Sequence, residues 1–139
     1  MCMNKTAKSI LLSNSFEKLA SVYSAEVLEK LESTAELDTT FRNKAMILAD
    51  KASVADTEYI FSTWGMPVFD EAEIAACFPK LKAVFYAAGS VQEFARPFLN
   101  AHIKVFSAWA ANAVPVAEYT AAQIVLGMKG FFAASRLCK

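Results

Sequence analysis

The stretch Ala87-Ala88-Gly89-Ser90-Val91 has the residue types of a loop that could bind an anion. It joins a predicted strand to a predicted helix, so its backbone N–H groups would point outward at the helix N-terminus, where the helix dipole favours negative charge. Gly89 permits a close backbone approach and a positive φ, and Ser90 adds a hydroxyl that could cap the helix. A carboxylate would fit such a loop. An ordinary strand-to-helix turn explains the same residues, and the sequence alone leaves both interpretations open.

Asn112 and Trp64 are two further candidates for contact with a ligand. Asn112 stands just ahead of a long predicted helix, with Pro115 in the first turn of that helix. Its side chain could present an amide to a substrate, or it could simply cap the helix. Trp64 follows the third predicted strand, where it could form a wall of a ligand site or serve only in packing. The residues alone do not decide between ligand contact and a structural role at either position.

Residues suited to nucleophilic or metal chemistry are scarce. The single histidine, His102, lies at the amino end of the fifth predicted strand, whereas ligands of open parallel sheets bind beyond the carboxyl ends. The three cysteines, Cys2, Cys77 and Cys138, are widely spaced and form no C-x-x-C pair. Neither a disulfide framework nor a zinc site is indicated. We therefore predict no metal ligands and no catalytic residue in this chain.

Charge and hydropathy exclude several classes of partner. Fourteen Lys and Arg balance fourteen Asp and Glu, so the chain has no net field that would attract nucleic acid or an anionic membrane. Its longer apolar runs are interrupted by polar or proline residues and fall short of the ~20 residues that span a bilayer. The apolar stretch 10–12 is too short for the core of a signal peptide. We expect a cytoplasmic protein.

Short apolar runs alternate with helical patterns, which predicts β-α-β units and a parallel sheet. The predicted strands are 9–13, 36–40, 58–63, 81–87 and 103–108, of which 36–40 is the weakest and the best candidate for an edge. The predicted helices are one that follows Ser24 and those at 43–54, 70–78, 91–101 and 113–135. Right-handed crossovers then favour a doubly wound, flavodoxin-like α/β sheet in the order 2-1-3-4-5, with a long C-terminal helix.

Two other protein classes with this sheet order can be tested in the same loops. A response-regulator receiver needs acidic residues after its first strand and an aspartate at the end of its third, but this chain has Ser13-Asn14 and Ser62-Thr63 there. A flavodoxin needs a hydroxyl-rich loop with glycine after its first strand, and residues 13–17 supply hydroxyls without glycine. The receiver class is excluded, and flavin binding is only weakly supported.

Three segments, taken in order, resemble the D-isomer-specific 2-hydroxyacid dehydrogenases. They are Trp64-Gly65-Met66-Pro67, the stretch PKLKAVFYAAGSV at 79–91 and the stretch NAVPVAEY at 112–119. The resemblance is closest to the bacterial branch that has Ala-Ala-Gly-Ser-Val where most members have Gly-x-Gly. It covers residues 55–132 well and 9–54 loosely. It implies a flavodoxin-like substrate domain at 1–110 and, at 111–139, a linking helix that begins a nucleotide-binding domain.

The resemblance also implies roles for single residues. Backbone N–H groups of Gly89, Ser90 and Val91 would hold the carboxylate of a 2-hydroxy or 2-keto acid, near Trp64. Asn112 would lie near the substrate and the nicotinamide of NAD or NADP, with Val116 beside it. Val91 stands where the family commonly has a second glycine, which leaves the shape of this loop open.

Family members continue with a Gly-x-Gly-x-x-Gly loop and with an arginine, an acidic residue and a histidine that bind the substrate and move its proton. The four glycines of this chain, Gly65, Gly89, Gly127 and Gly130, do not form that fingerprint. We therefore expect the substrate-binding half of an NAD(P)-dependent oxidoreductase, truncated before its cofactor domain and inactive alone. The alternative is a non-catalytic module of flavodoxin-like fold that binds a small acid or a protein.

Apolar residues are distributed around most of the predicted helix 113–135 rather than along one stripe. A helix that is apolar on nearly all sides needs burial on more than one face. We therefore expect a homodimer formed through this helix, with Phe131 and Phe132 near the contact.

Overall fold

The computed structural model describes residues 7–137 and contains a five-stranded, all-parallel sheet in the order β2-β1-β3-β4-β5. The strands are β1 (Lys8–Leu12), β2 (Glu36–Asp38), β3 (Tyr59–Ser62), β4 (Ala83–Tyr86) and β5 (Lys104–Ser107). The helices are α1 (Phe16–Val22), α2 (Ala25–Thr34), α3 (Lys44–Ala49), α4 (Glu71–Cys77), α5 (Ala95–Asn100), α6 (Trp109–Met128) and α7 (Phe131–Leu137), with a 3-10 helix at Lys51–Val54. The predicted fold class is confirmed.

Two compact units make up the chain, one that ends at Ala108 and one that begins at Trp109. We call them the sheet unit and the helical unit. The sheet unit contains all five strands and α1 to α5, and the helical unit contains α6 and α7. No helix in residues 7–137 is long and apolar enough to cross a membrane. Cys2 and Cys138 lie outside the described residues, and Cys77 is a buried free thiol.

One face of the sheet, which we call face A, is closed by α3, the 3-10 helix, α4 and α5. The side chains that pack together there include Ile10, Leu12, Ile60 and Val84 from the strands and Ile47, Val54, Ile74 and Phe98 from the helices. All of them are almost completely buried. Face A therefore carries the main hydrophobic core.

The opposite face, face B, is closed only over β1 and β2. There α1 and α2 pack Leu19, Tyr23 and Leu28 against Leu11 and Leu37 of the strands. Farther along face B, the rings of Phe61, Phe85 and Phe106 stack from β3 to β5, with centroids 5.2 and 5.1 Å apart. Phe61 still packs against the cluster of Leu11, Leu19 and Tyr23, but no helix of the described sheet unit closes over Phe106, which is 49% exposed.

Three helices of the sheet unit differ from the prediction. The helix α1 was not predicted, and it begins where the Ser15 hydroxyl accepts a hydrogen bond from the Lys18 N–H. The predicted helix 43–54 divides at Asp50, which ends α3 and caps the 3-10 helix. The predicted helix 91–101 is shorter, because α5 begins at Ala95 and its N-cap, Phe94, makes no side-chain cap.

The start of α5 has a physical reason in Pro97. Proline has no N–H, so it is tolerated in the first turn of a helix, where that N–H would have no partner, but not in a helix interior. Pro97 is the third residue of α5 and would have been the seventh of a helix that began at Val91. Ser90 therefore does not cap this helix, and the expectation that it could is wrong.

In the helical unit, both ends of the predicted helix 113–135 differ from the prediction. The helix α6 begins at Trp109, so Asn112 and Pro115 lie inside it rather than at its start. It ends at Met128, and Gly130 has a φ of 72°, a left-handed conformation that glycine adopts without steric cost. Residues from Phe131 onward then form the separate helix α7.

Candidate functional site

The loop Ala87–Val91 leaves the sheet at the carboxyl end of β4, as predicted, and both neighbouring strands hold it. The Ala87 N–H donates to the Ser62 carbonyl at 2.8 Å. The Thr63 hydroxyl, just past β3, donates to the Ala87 carbonyl at 3.3 Å. From the other side, the Ser107 hydroxyl at the end of β5 reaches the carbonyls of Ala88, at 3.0 Å, and Gly89. The carbonyl groups of this loop are thus turned toward the sheet.

The N–H groups of the same loop are open. In the part of the chain that the structure describes, no protein acceptor forms a hydrogen bond with the N–H of Gly89, Ser90 or Val91. Gly89 and Val91 are half-buried and Ser90 is exposed. A backbone N–H group without a protein partner is free to donate a hydrogen bond to an anion. The loop can therefore accept a small oxyanion such as a carboxylate, with water as its other possible partner.

The loop after β1 offers the opposite arrangement. The Ser13 N–H donates to the Arg42 carbonyl at 3.1 Å, and the Asn14 N–H donates to the Gly65 carbonyl at 2.8 Å. The Ser15 N–H donates to the Ser13 hydroxyl at 3.1 Å. Because these three donors are used inside the protein, they are not available to a flavin phosphate.

Trp64 lies in a tightly constrained turn after β3. Its carbonyl accepts a hydrogen bond from the Ser13 hydroxyl at 3.1 Å. The next residue, Gly65, has a φ of 88°, and a Cβ atom there would lie 3.0 Å from the Ser13 hydroxyl oxygen. Glycine is therefore favoured mainly by its positive φ, and a larger residue would also crowd the Ser13 hydroxyl. The Trp64 side chain is 46% exposed at the carboxyl edge of the sheet, so it is accessible to a ligand.

A negative charge lies close to the loop. The pKa of Tyr86 is raised, mainly because its phenol is buried and secondarily because the Glu93 carboxylate is near. Glu93 follows the loop by two residues and would repel an anion bound there. His102, which was predicted to lie at the amino end of the fifth strand, is exposed, has a φ of 60° and lies just before β5. Backbone dipoles, rather than side-chain cations, are what this loop offers an anion.

Asn112 and Val116 lie in the helical unit. Asn112 is the fourth residue of α6 and half-buried, so it does not serve as the N-cap that its position before Pro115 indicated. Val116 is 59% exposed. The structure thus brings the loop Gly89–Val91 and Trp64 to one edge of the sheet unit and places the other two candidate residues on one helix of the other unit.

Sequence reasoning missed Thr63 and Ser107, the two hydroxyls that hold the loop. Thr63 is completely buried and Ser107 is half-buried. A hydroxyl residue at the carboxyl ends of both strands that flank β4 is the only signal that could have identified them. That signal becomes specific only once the strand order is known, because it depends on β3 and β5 lying on either side of β4.

The described residues give little support for a ligand groove elsewhere on the sheet or for a metal site. A groove of about 720 Å³ is an open recess on face B near Lys82, His102 and Lys104, at the amino ends of the strands and away from Gly89. No group of three or more His, Cys, Asp or Glu among residues 7–137 is arranged to hold a metal ion.

Comparison with protein-family models finds no match to this chain, and comparison with curated proteins finds no significant one.

Proposed function

We propose that this chain is the substrate-binding half of an NAD(P)-dependent D-2-hydroxyacid dehydrogenase, and that it binds the carboxylate of a 2-hydroxy or 2-keto acid at the loop Gly89–Val91. The observation that carries the proposal is the set of open N–H groups in this loop. They lie beyond the carboxyl end of β4, at the edge where open parallel sheets bind ligands. The resemblance of residues 64–67, 79–91 and 112–119 to that dehydrogenase family points to the same loop.

Binding by these residues alone should be weak. Hydrogen bonds from neutral N–H groups are roughly half as strong as those from a charged arginine, and no cationic side chain forms a hydrogen bond with this loop in the described residues. Glu93 adds repulsion. We therefore expect dissociation constants in the millimolar range, on the order of 1 to 10 mM, which corresponds to about −3 to −4 kcal/mol.

The glycines of this chain do not supply the phosphate-binding loop of a dinucleotide site. Gly127 lies inside α6 and Gly130 at its end, and neither they nor Gly65 and Gly89 create a Gly-x-Gly-x-x-Gly loop. In the proposal, Asn112 and Val116 face the nicotinamide, as the family resemblance implies, and the nucleotide itself is held by other residues. We assign no step of hydride transfer to this chain and expect no turnover from it alone with NADH or NADPH and 2-keto acids.

The test is an NMR titration of the ¹⁵N-labelled protein with pyruvate, glyoxylate and, as an inorganic anion, sulfate. The amide signals of Gly89, Ser90 and Val91 should move first, because their N–H groups are open. The amides of Ser13 and Asn14 are an internal control in the same spectrum, because they are already bonded within the protein. They should stay still at concentrations that shift the Gly89 loop.

A matched variant, Glu93→Gln, sharpens this titration. Removal of the negative charge should tighten carboxylate binding by about twofold, as expected for one partly screened charge at the surface. If pyruvate and sulfate shift residues 13–17 and leave the Gly89 loop unmoved, the proposal is wrong and a flavodoxin-like phosphate loop is the better description.

The proposal also includes a cytoplasmic homodimer formed through the segment 113–135, which spans most of α6 and the start of α7. No residue of α6 or α7 is buried, and the exposed apolar side chains of the helical unit include Val116, Tyr119, Ile124, Val125, Met128, Phe131 and Phe132. Apolar surface of this extent is typical of an interface with a protein. A second copy is the occupant that we propose, because an isologous contact brings the same apolar helix from both subunits together.

Light scattering tests the dimer. At about 100 μM, an estimate well above the dissociation constants of stable protein interfaces, the mass should be that of two chains. Phe131→Asp, which puts a charge on the apolar surface of α7, should shift the mass toward one chain. A monodisperse monomer of the unchanged protein at that concentration would contradict this part of the proposal. It would favour the alternative function, a module whose apolar helices bind a different protein.

A further inference from the structure

The hydroxyls of Thr63 and Ser107 hold the carbonyl groups of the loop after β4, and we call this pair the clamp. Because a peptide bond is planar, the clamp also determines where the N–H groups of the loop point. In a planar trans peptide, the C=O of one residue and the N–H of the next point in opposite directions. A hydroxyl that holds the carbonyl of Ala88 therefore directs the N–H of Gly89 the other way. A hydroxyl that holds the carbonyl of Gly89 does the same for the N–H of Ser90.

We infer that Ser107 is a positioning residue, which aims the N–H groups of Gly89 and Ser90 outward as a pair of anion donors. The Ser107 hydroxyl shares its single proton between the carbonyls of Ala88 and Gly89. The Thr63 hydroxyl donates to the carbonyl of Ala87. Three consecutive carbonyls are thereby held by hydroxyls. Ala88 is buried, so of the N–H groups that follow these carbonyls, those of Gly89 and Ser90 are left for a ligand.

Both hydroxyls belong to rigid parts of the sheet. Ser107 is paired with Tyr86 in the ladder of β4 and β5, and the N–H of the next residue, Ala108, donates to the Tyr86 carbonyl at 3.0 Å. Thr63 directly follows β3 and is completely buried. The clamp is therefore fixed before any ligand arrives, so binding does not have to pay the entropy of ordering the loop.

The clamp also predicts which N–H groups of the loop should bind an anion most strongly, a difference that the sequence alone does not show. The carbonyl of Ser90 receives no hydroxyl in the described part of the chain, so the N–H of Val91 is not aimed in this way. Gly89 and Ser90 should supply most of the binding, and Val91 less. The inference rests on the proposed function only for the identity of the anion, because the direction of the N–H groups is a property of the free protein.

The first experiment measures that direction without a ligand. Residual dipolar couplings of the Gly89 and Ser90 N–H vectors should change when Ser107 is replaced by Ala, while those of β4 stay the same. Ser33→Ala is the matched control, because the Ser33 hydroxyl also donates to a backbone carbonyl, that of Lys30, far from the loop. Unchanged couplings at Gly89 and Ser90 in Ser107→Ala would overturn the inference.

The second experiment measures affinity for pyruvate and sulfate. Ser107→Ala should weaken binding of both by about threefold to tenfold, the effect of one or two groups that must be ordered on binding. Ser107→Thr, which keeps the hydroxyl, should restore it, and Ser33→Ala should leave it unchanged. Thr63→Val should leave the couplings of Gly89 and Ser90 unchanged and should affect the affinity less than Ser107→Ala does, since Thr63 holds a different peptide, that of Ala87 and the buried Ala88.

The two experiments separate the inference from the proposed function. If neither anion shifts the loop of the unchanged protein but Ser107→Ala reorients Gly89 and Ser90, the clamp is supported and the carboxylate site is wrong. If the anions bind and Ser107→Ala changes neither the couplings nor the affinity, the site is supported and the clamp is overturned. If Ser107→Ala fails to fold, Ser107→Cys, which keeps the size with a weaker donor, takes its place in both measurements.

Discussion

The two faces of the sheet use the same kind of side chain in different ways. On face A, Phe98 packs with Phe69 and Phe78 among α4, α5 and the strands, and all three rings are almost completely buried. On face B, Phe61 and Phe85 are half-buried and Phe106 is half-exposed, although their rings are stacked. The two faces differ in how far helices cover them. Helices of the sheet unit close face A along the strands β1, β3 and β4, but they close only the β1 and β2 side of face B.

This comparison separates the residues that stabilise the sheet unit from those that offer surface. Parallel sheets are normally covered on both faces. Burial of an apolar side chain contributes in proportion to the area removed from water, so rings on face A should contribute far more than rings on the open part of face B. Stability should therefore depend steeply on which face is changed.

The largest expected effect follows from Phe98→Ala. This change removes a completely buried ring and leaves a cavity in face A, so the free energy of unfolding should fall by about 3 to 5 kcal/mol. The matched change on face B, Phe106→Ala, should cost less than about 1.5 kcal/mol, because half of that side chain is already in contact with water. Urea unfolding followed by circular dichroism measures both.

Equal losses of unfolding free energy in Phe98→Ala and Phe106→Ala would contradict the difference between face A and face B. They would mean that in solution the aromatic row on face B is covered as completely as the core on face A. A concentration dependence of the Phe106→Ala midpoint would then show that the cover comes from another molecule.

The strands could be predicted because runs of consecutive apolar residues indicate buried strands. Ile10, Leu11 and Leu12 are consecutive apolar residues, and all three are buried, as a parallel strand covered on both faces requires. The weak pattern at 36–40 corresponds to the short edge strand β2. With five strands and right-handed crossovers, the sheet order followed from general rules of chain topology.

Helix ends were harder to predict because competing local signals have similar strength. Asn112 followed by Pro115 is typical of a helix start, yet Trp109, Ala110 and Ala111 continue the helix backward, and alanine has the highest helix propensity of all residues. Ser90 looked like a helix cap, but Pro97 favours a later start. In both cases the overturned prediction rested on one capping residue.

The candidate site was only partly predictable for a different reason. The place of the Gly89 loop at the carboxyl edge followed from the strand order, and the structure has it there. Whether its N–H groups are open depends on partners distant in sequence, such as Ser107, which lies 18 residues from Gly89. The closed loop after β1 likewise depends on Arg42 and Gly65. No local pattern encodes either state.

The smallest effect concerns Tyr23, which lies at the boundary between the covered and open parts of face B. Its hydroxyl donates to the Ser62 carbonyl at 2.9 Å, and burial holds the pKa of the phenol well above its usual range. Tyr23→Phe should lower the free energy of unfolding at pH 7 by about 1 kcal/mol, the net contribution of one hydrogen bond. Since the Ser62 carbonyl keeps the Ala87 N–H as a partner, no buried acceptor is left unsatisfied.

The sign of the pH dependence of Tyr23 follows from the direction of its shift. A phenol whose pKa is higher in the folded protein than in the unfolded chain, where it is near 10, stabilises the fold fully below pH 10. That contribution decreases as the pH rises above 10, because the unfolded chain loses the proton first. Urea unfolding between pH 7 and 11 should therefore show a steeper loss for the unchanged protein than for Tyr23→Phe. Tyr59→Phe is the control, since its hydroxyl has no acceptor in residues 7–137. If Tyr23→Phe and the unchanged protein lose stability in parallel above pH 10, then Tyr23 is accessible to water, and α1 covers face B less tightly than its burial indicates.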